Sequence, residues 1–234
     1  MALVCHFILL AISKECANTH VISIDEKTGI QAISRQTGKA PISKGGHTRK
    51  EYEYIRHGTT TLMAAVNVEN GEAFSTHLGP TRTEDDYLEF TQQTVYQLPE
   101  LDKIVILSDQ LNTHMSESLV LWIAEEEGYD EDLGIKGKSG ILQSMETRKI
   151  FLEKPDHRIQ FVFTPKHCSW LNPIENWFAK LQRHVVTNGN YSSVNELENK
   201  IRNYIEYHNN CFAKPLNWKF KGFKKDQKLY NFSV

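Results

Sequence analysis

Residues 103–109 read Lys-Ile-Val-Ile-Leu-Ser-Asp, four consecutive apolar side chains that lead into a serine and an aspartate. A strand that is apolar on both faces is typical of the centre of a sheet that helices cover on each side. The segment therefore predicts a central strand in an α/β domain. Asp109 stands where this strand ends.

A β-rich segment with a carboxylate inside it lies near the start of the chain. Val21 to Lys27 is rich in β-branched residues and is followed, after Thr28-Gly29, by a second apolar run from Ile30 to Ser34. This pattern predicts a β-hairpin. Asp25 falls inside its first strand, where an unpaired charge is costly to bury.

Further elements follow in an order that predicts a mixed sheet. Asn70-Gly71 is typical of a type I′ turn and predicts a hairpin between Thr59 to Val68 and Ala73 to Leu78. Periodicity predicts helices over 83–98, 115–127, 173–186 and 194–209, and a last strand over 158–164. A meander followed by alternating strands and helices is typical of a mixed α/β sheet with helices on both faces.

The chain is predicted to hold one domain between two short terminal segments. We assign residues 1–20 to an N-terminal segment, 21–210 to the domain and 211–234 to a basic tail. Residues 128–157 are glycine-rich, charged and weakly patterned, and we interpret them as an insertion. Met1 to Ile12 is apolar but lacks a signal peptide's positive start and is too short to span a membrane. We expect a buried helix or strand there, and a cytoplasmic protein without membrane contact.

Composition excludes several classes of protein. With 40% hydrophobic and 24% charged residues, the 234-residue chain is neither disordered nor collagenous nor a coiled coil. Its four cysteines form no C-x-x-C pair, which argues against a disulfide framework or a structural zinc site.

The net charge of −2 conceals an asymmetry along the chain. Residues 83–133 hold 1 basic and 14 acidic side chains, whereas residues 158–234 hold 12 basic and 5 acidic ones. The glycine-containing segment 36–50 is also basic and is predicted to be a mobile loop. A basic C-terminal third is compatible with a surface that faces a polyanion, and equally with a solvated face that has no partner.

Three carboxylates stand where burial is costly: Asp25, Asp109 and Glu175, the last in the first turns of an amphipathic helix. Burying such charges costs several kcal/mol unless a cation or hydrogen bonds replace water, so a divalent metal is one natural partner. Structural alternatives remain open. The two aspartates can simply terminate strands, and Glu175 can belong to a capping box after Asn172-Pro173.

The predicted helix over 173–186 has two distinct sides. A helical wheel started at Leu171 places Glu175 at the margin of the apolar stripe. Asn176, Lys180 and Arg183 point outward, which leaves them free to meet solvent or a phosphate chain.

The two most distinctive motifs are ILSDQLNTH over residues 106–114 and TPKHCSWLNPIENWF over residues 164–178. Both closely resemble the bacterial insertion-sequence branch of the mariner-type DDE transposases, the insertion sequence 630 family. Shorter similarities to this family lie at Ser23–Ala32, Tyr54–Thr59, Tyr207–Asn209 and Lys214–Trp218. The resemblance extends over about residues 20–220.

The resemblance implies a ribonuclease-H-like catalytic domain in which Asp25, Asp109 and Glu175 meet at one end of the sheet. It implies that these carboxylates bind two Mg²⁺ or Mn²⁺ ions, hard cations that prefer oxygen ligands. Two such ions are able to activate a water or a DNA 3′-hydroxyl for strand cleavage and strand transfer. The implied partners are transposon ends and target DNA, with a homodimer as the assembly.

Other residues are candidates for contact with DNA or for support of the site. The candidate DNA contacts are Arg56, Lys166, Trp170, Lys180 and Arg183. The candidate supporting residues are Asn112, His114 and Asn172. For Trp170 a place in the core, rather than a stack on a base, is the favoured interpretation.

The sequence also departs from the family pattern. Only 24 residues precede Asp25, where members usually carry a helix-turn-helix region, so we expect that such a domain is encoded separately. The 65 residues between Asp109 and Glu175 are more than is usual, and Gln110 and Pro173 replace a common Asn and Gln. A non-catalytic DNA-binding or dimerising remnant of a truncated transposase is therefore the alternative function.

Overall fold

The centre of the fold is a five-stranded mixed sheet. The computed structural model describes residues 1–14, 18–35, 53–187 and 189–220. The strands are β1 (Thr19–Ser34), β2 (Ile55–Asn67), β3 (Ala73–Gly79), β4 (Lys103–Ser108) and β5 (Ile159–Phe163). They lie in the order β3-β2-β1-β4-β5, with β1 to β3 antiparallel and with β4 and β5 parallel to β1.

Helices cover both faces of this sheet. They are α1 (Ala2–Ser13), α2 (Glu84–Val95), α3 (Glu117–Glu126), α4 (Met145–Leu152), α5 (Ile174–Leu181) and α6 (Val194–Cys211). One core cluster joins α2, α3 and α4 to the sheet, and two clusters on the other face join α1, and α5 with α6, to it. The predicted mixed α/β sheet with helices on both faces is confirmed.

The strand β4 shows why the sheet needs two helical layers. Ile104 and Ile106 belong to the cluster under α2 to α4, whereas Val105 and Leu107 belong to the cluster under α1. All four are fully buried because successive side chains of a strand point to opposite faces. The prediction of a central strand from this apolar run is confirmed.

The predicted hairpin between Val21 and Ser34 is wrong, because β1 is one continuous strand. It pairs antiparallel with β2 on both sides of Thr28-Gly29, from Ile22 opposite Asn67 to Ser34 opposite Ile55. The ladder shifts register between Lys27 and Ile30, and Gly29 has a φ of 63°. The dipeptide forms a bulge and not a reversal, since the long strand β2 offers pairing partners along the whole length of β1.

The weakly patterned segment 128–157 contains regular structure that periodicity did not reveal. It includes α4, whose Phe151 and Leu152 are buried in the core under α3. Arg148 donates from Nε to the Met115 carbonyl at 2.7 Å, which ties the segment to the end of the β4–α3 connection. That the segment is an insertion stays a prediction.

The N-terminal apolar run forms α1, as one of the two predicted alternatives. Val4 and Ile8 are buried against the sheet. In the described ranges, no helix is long and apolar enough to cross a membrane. The predicted mobile loop over 36–50, and the tail after residue 220, lie outside the described residues.

Candidate active site

Asp25 and Asp109 lie side by side where the parallel pairing of β1 and β4 ends. β1 and β4 pair in parallel with Ser23 opposite Leu107. Two residues further along both strands, this register places Asp25 level with Asp109. Adjacent strands are about 4.8 Å apart, so the two carboxylates are close neighbours.

Asn172 connects the start of α5 to β1 beside these aspartates. Its Nδ2 donates to the Ile24 carbonyl at 3.0 Å and to Asp25 Oδ2 at 3.2 Å. Its Oδ1 accepts from the Ser23 hydroxyl at 2.5 Å. The Ser23 oxygen in turn accepts from the Ile174 backbone N–H at 2.9 Å, which satisfies one of the free donors at the helix start.

This docking places Glu175, in the first turn of α5, near the two aspartates. Glu175 is half-buried, and its backbone N–H donates to the Asn172 carbonyl at 3.1 Å. The residue before α5, Pro173, makes no side-chain cap hydrogen bond, so the alternative of a capping box at Glu175 is wrong. The helix begins at a site that β1 provides through Ser23.

The charges of these three carboxylates act on one another. Burial, together with the negative charges of Asp109 and Glu175, raises the pKa of Asp25 to about 7, although the hydrogen bond from the Glu26 backbone and the charge of His114 act to lower it. The side chain is only 9% exposed. A buried carboxylate beside like charges is the electrostatic setting that a bound cation relieves.

His114 is the positive partner of Asp109. Its Nδ1 lies 2.7 Å from Asp109 Oδ1, and its ring is fully buried. Burial opposes the charge of the ring, but hydrogen bonds to Asp109 and Glu26 outweigh it and raise the pKa of His114 to about 9. Burial likewise opposes ionisation of Asp109, yet the contact with His114 holds the pKa of Asp109 below its usual value.

The donor set fits a hard divalent cation, although it is not a closed metal cage. Asp25, Asp109 and Glu175 offer only carboxylate oxygens, the ligands that Mg²⁺ and Mn²⁺ prefer. Across the described ranges, three His, Cys, Asp or Glu side chains nowhere form a ready-made metal cluster.

The candidate DNA contacts lie on the surface. Lys180 and Arg183 are exposed on and just after α5, as the helical wheel predicted, and Lys166 is exposed in the loop after β5. Arg56 is exposed at the start of β2, where its guanidinium donates to the Tyr54 hydroxyl at 3.0 Å. All four side chains are thus accessible to a ligand.

The two remaining exposed candidates are Trp170 and Asn112. Trp170 is 51% exposed and packs edge-on against Phe220 at 5.3 Å, so the interpretation as a core residue is wrong. Trp170 lies in a short 3₁₀ turn before α5, and the next residue of that turn, Leu171, takes the buried position instead. Asn112 is exposed in the turn that carries His114 and makes no side-chain contact with the aspartates.

Sequence reasoning missed Glu26 and Ser23. Glu26 is 6% exposed at its side chain and bonds to both His114 and Arg82. The sequence did contain a signal for Glu26. Two consecutive acidic residues in a strand point to opposite faces, and in a central strand with both faces covered each buried charge needs a partner. Ser23 gave no comparable signal.

The fold and the site together define a class of protein: a ribonuclease-H-like domain with two adjacent aspartates on neighbouring parallel strands and a glutamate on a nearby helix. The family described as DDE superfamily endonuclease matches residues 20–198, and the chain belongs to that family. No curated protein matches the chain.

Three solved structures share the fold. The chain is 12% identical to the Mos1 strand transfer complex, with a TM-score of 0.53, and covers 88% of its own length and 52% of that chain. The Mos1 mariner paired end complex with Mn gives 12% identity, a TM-score of 0.52 and coverage of 88% and 53%. A pre-cleavage Mos1 transpososome gives 13%, 0.53, 88% and 54%. The chain thus spans about half the length of these proteins.

Proposed function

We propose that the chain is the catalytic domain of a transposase of the insertion sequence 630 branch, which cleaves DNA strands at transposon ends and joins them to a target. The observation that carries this proposal is the adjacency of Asp25 and Asp109, with the charge of Glu175 acting on Asp25. The similar structures are a strand transfer complex and a paired end complex with Mn, which supports the reaction class and the metal.

The chain's own residues would hold and orient the ions. Asp25, Asp109 and Glu175 are the proposed ligands, and Asn172 fixes Asp25 by its hydrogen bond to Oδ2. Two Mg²⁺ or Mn²⁺ ions would supply activation of the attacking hydroxyl and neutralise charge at the phosphate. His114 keeps Asp109 ionised and therefore ready to bind a cation.

The DNA partner is proposed from charge and position. Lys180 and Arg183 continue from the helix that carries Glu175, so a strand held by them would pass close to the carboxylates. Lys166 and Arg56 are further phosphate contacts, and the exposed Trp170 is able to stack on an unpaired base. The proposal also includes a homodimer, since the similar structures are a paired end complex and a transpososome, and the helix-turn-helix partner domain that the family resemblance implies.

The direct test is cleavage of DNA that carries the native element ends, with the DNA-binding partner supplied. We expect nicking that requires Mg²⁺ or Mn²⁺ and is lost in Asp109→Ala. Asp130→Ala, which changes an exposed aspartate in the 128–157 segment, is the matched control and should cleave normally. A folded wild-type protein that binds these ends but never nicks them would identify the chain as a non-catalytic DNA-binding or dimerising remnant.

A further inference from the structure

Glu26 follows Asp25 directly but lies on the opposite face of β1. Its neighbours on that face, Ile22 and Ile24, belong to the core under α2 to α4. The Glu26 carboxylate is 6% exposed and is bonded at both oxygens: Oε2 lies 2.8 Å from His114 Nε2, and Oε1 lies 2.9 Å from Arg82 Nη1. A carboxylate that is buried in this way is retained in the fold by its partners.

The His114 ring is fixed on three sides. Nε2 meets Glu26, Nδ1 lies 2.7 Å from Asp109 Oδ1, and the ring stacks on Tyr87 with centroids 4.2 Å apart at 24°. The Ser108 hydroxyl adds a contact at 3.0 Å from Nδ1. The ring therefore joins a carboxylate on one face of the sheet to one at the strand end.

The consequence falls on Asp109. Its Oδ1 accepts from both the His114 ring and the Leu111 backbone N–H, the latter at 3.1 Å. A carboxylate that is held at one oxygen presents the other in a fixed direction. Side chains that orient a metal ligand in this way commonly change metal affinity by about 10–100-fold when removed.

We propose that Glu26, acting through His114, is a positioning residue that fixes the Asp109 carboxylate for divalent-metal binding. The proposal rests on the proposed function only in taking Asp109 as a metal ligand. Glu26 itself does not reach the metal side of β1, since Asp25 occupies that side.

The experiment measures Mn²⁺ binding to the purified chain by electron paramagnetic resonance, without DNA. We expect Glu26→Ala and His114→Ala to weaken Mn²⁺ binding about 10-fold or more. Glu26→Gln should restore most of the affinity, because its amide oxygen still accepts from His114 Nε2. Rescue by this variant separates positioning from a general loss of packing.

The same strands offer a matched control. His20 Nε2 and Asp102 Oδ2 form a pair at 2.9 Å at the other end of β1 and β4. His20→Ala and Asp102→Ala remove a similar contact far from Asp109 and should leave Mn²⁺ affinity within about 2-fold of wild type, whatever they do to the melting temperature.

Three results would overturn the proposal: Mn²⁺ binding unchanged in folded Glu26→Ala and His114→Ala, an equal loss in the control pair, or a wild-type chain that binds no Mn²⁺. If the Ala variants fail to fold, His114→Phe keeps the test valid, because it retains a ring stacked on Tyr87 but cannot hydrogen-bond to Asp109 and should weaken Mn²⁺ binding to a similar extent. If the wild type binds Mn²⁺ through this site but never cuts DNA, the transposase proposal fails and the positioning proposal stands.

Discussion

At the scale of single residues, the site is built from charges that repel one another. Burial and the negative charges of Asp109 and Glu175 raise the pKa of Asp25, whereas at Asp109 the contact with His114 outweighs burial and lowers the pKa. In the metal-free protein, the negative charge of Asp25 is therefore unfavourable. Functional sites commonly retain such unfavourable charges at the expense of stability.

The first prediction concerns Asp25→Asn in the metal-free protein. The pKa of Asp25 is about 7 in the folded state, whereas an unperturbed aspartate has a pKa of 3.8. The folded state binds the proton more tightly, so wild-type stability should fall as pH rises from about 4 to about 7. Asp25→Asn has no such loss of stability. The difference in unfolding free energy between the variant and the wild type should therefore favour the variant by about 2–4 kcal/mol more at pH 8 than at pH 4.

Urea unfolding of both proteins in EDTA at pH 4 and pH 8 measures this difference. Asp130→Asn, an exposed aspartate, is the control and should follow the wild type at both pH values. Parallel pH profiles for wild type and Asp25→Asn would contradict the assignment of a raised pKa. Added Mn²⁺ at pH 8 should stabilise the wild type and not Asp25→Asn.

The second prediction concerns Asn172, whose amide joins β1 to the start of α5. Asn172→Ala removes hydrogen bonds to Ser23, the Ile24 carbonyl and Asp25, and leaves buried groups without partners. We expect a loss of about 1–3 kcal/mol in the free energy of unfolding, together with weaker Mn²⁺ binding. Asn195→Ala, on the exposed face of α6, should change neither quantity measurably.

At the scale of elements, strong local signals predicted the structure well and weak ones did not. The predicted strand at residues 103–109 and the predicted start of α2 at residue 83 are confirmed to within one residue, since each depends on neighbouring side chains alone. The continuity of β1 depends on β2, which lies far along the chain, and no pattern inside residues 19–34 reveals it. The contact of Glu26 with His114 has the same origin in distant residues.

The third prediction concerns α1, which the structure makes part of the core. Ile8 is fully buried among Val21, Val105 and Val162. Ile8→Ala should lower the free energy of unfolding by about 2–4 kcal/mol. Leu101→Ala removes a side chain that is 93% exposed and should cost less than about 0.5 kcal/mol in the same denaturant titration. Equal effects of the two changes would argue that α1 does not pack as described.

At the scale of the whole molecule, charge is separated along the sequence. Residues 83–133, with 14 acidic side chains, include α2, β4 and α3, whereas the basic C-terminal third includes α5 and α6. The net charge of −2 averages these parts and so gives no guidance about a polyanionic partner. Location of charge, and not its total, supports a DNA-binding surface around α5.

The fourth prediction concerns this surface. DNA affinity should fall with salt concentration, since phosphate contacts release counterions. Lys180→Ala and Arg183→Ala should each weaken binding and reduce the slope of log K against log salt by about 0.9. Lys138→Ala, exposed in the 128–157 segment, should leave the slope unchanged. Slopes that do not differ among the three variants would place the DNA elsewhere.

The location of the bound metal tests most directly whether Asp25, Asp109 and Glu175 are the metal ligands. Crystals soaked in Mn²⁺ and measured at the manganese absorption edge should show an anomalous peak in contact with the carboxylates of Asp25 and Asp109, with Glu175 turned toward it. An ordered site without a peak, or a peak only at other residues, would contradict the assignment of these carboxylates as the metal ligands.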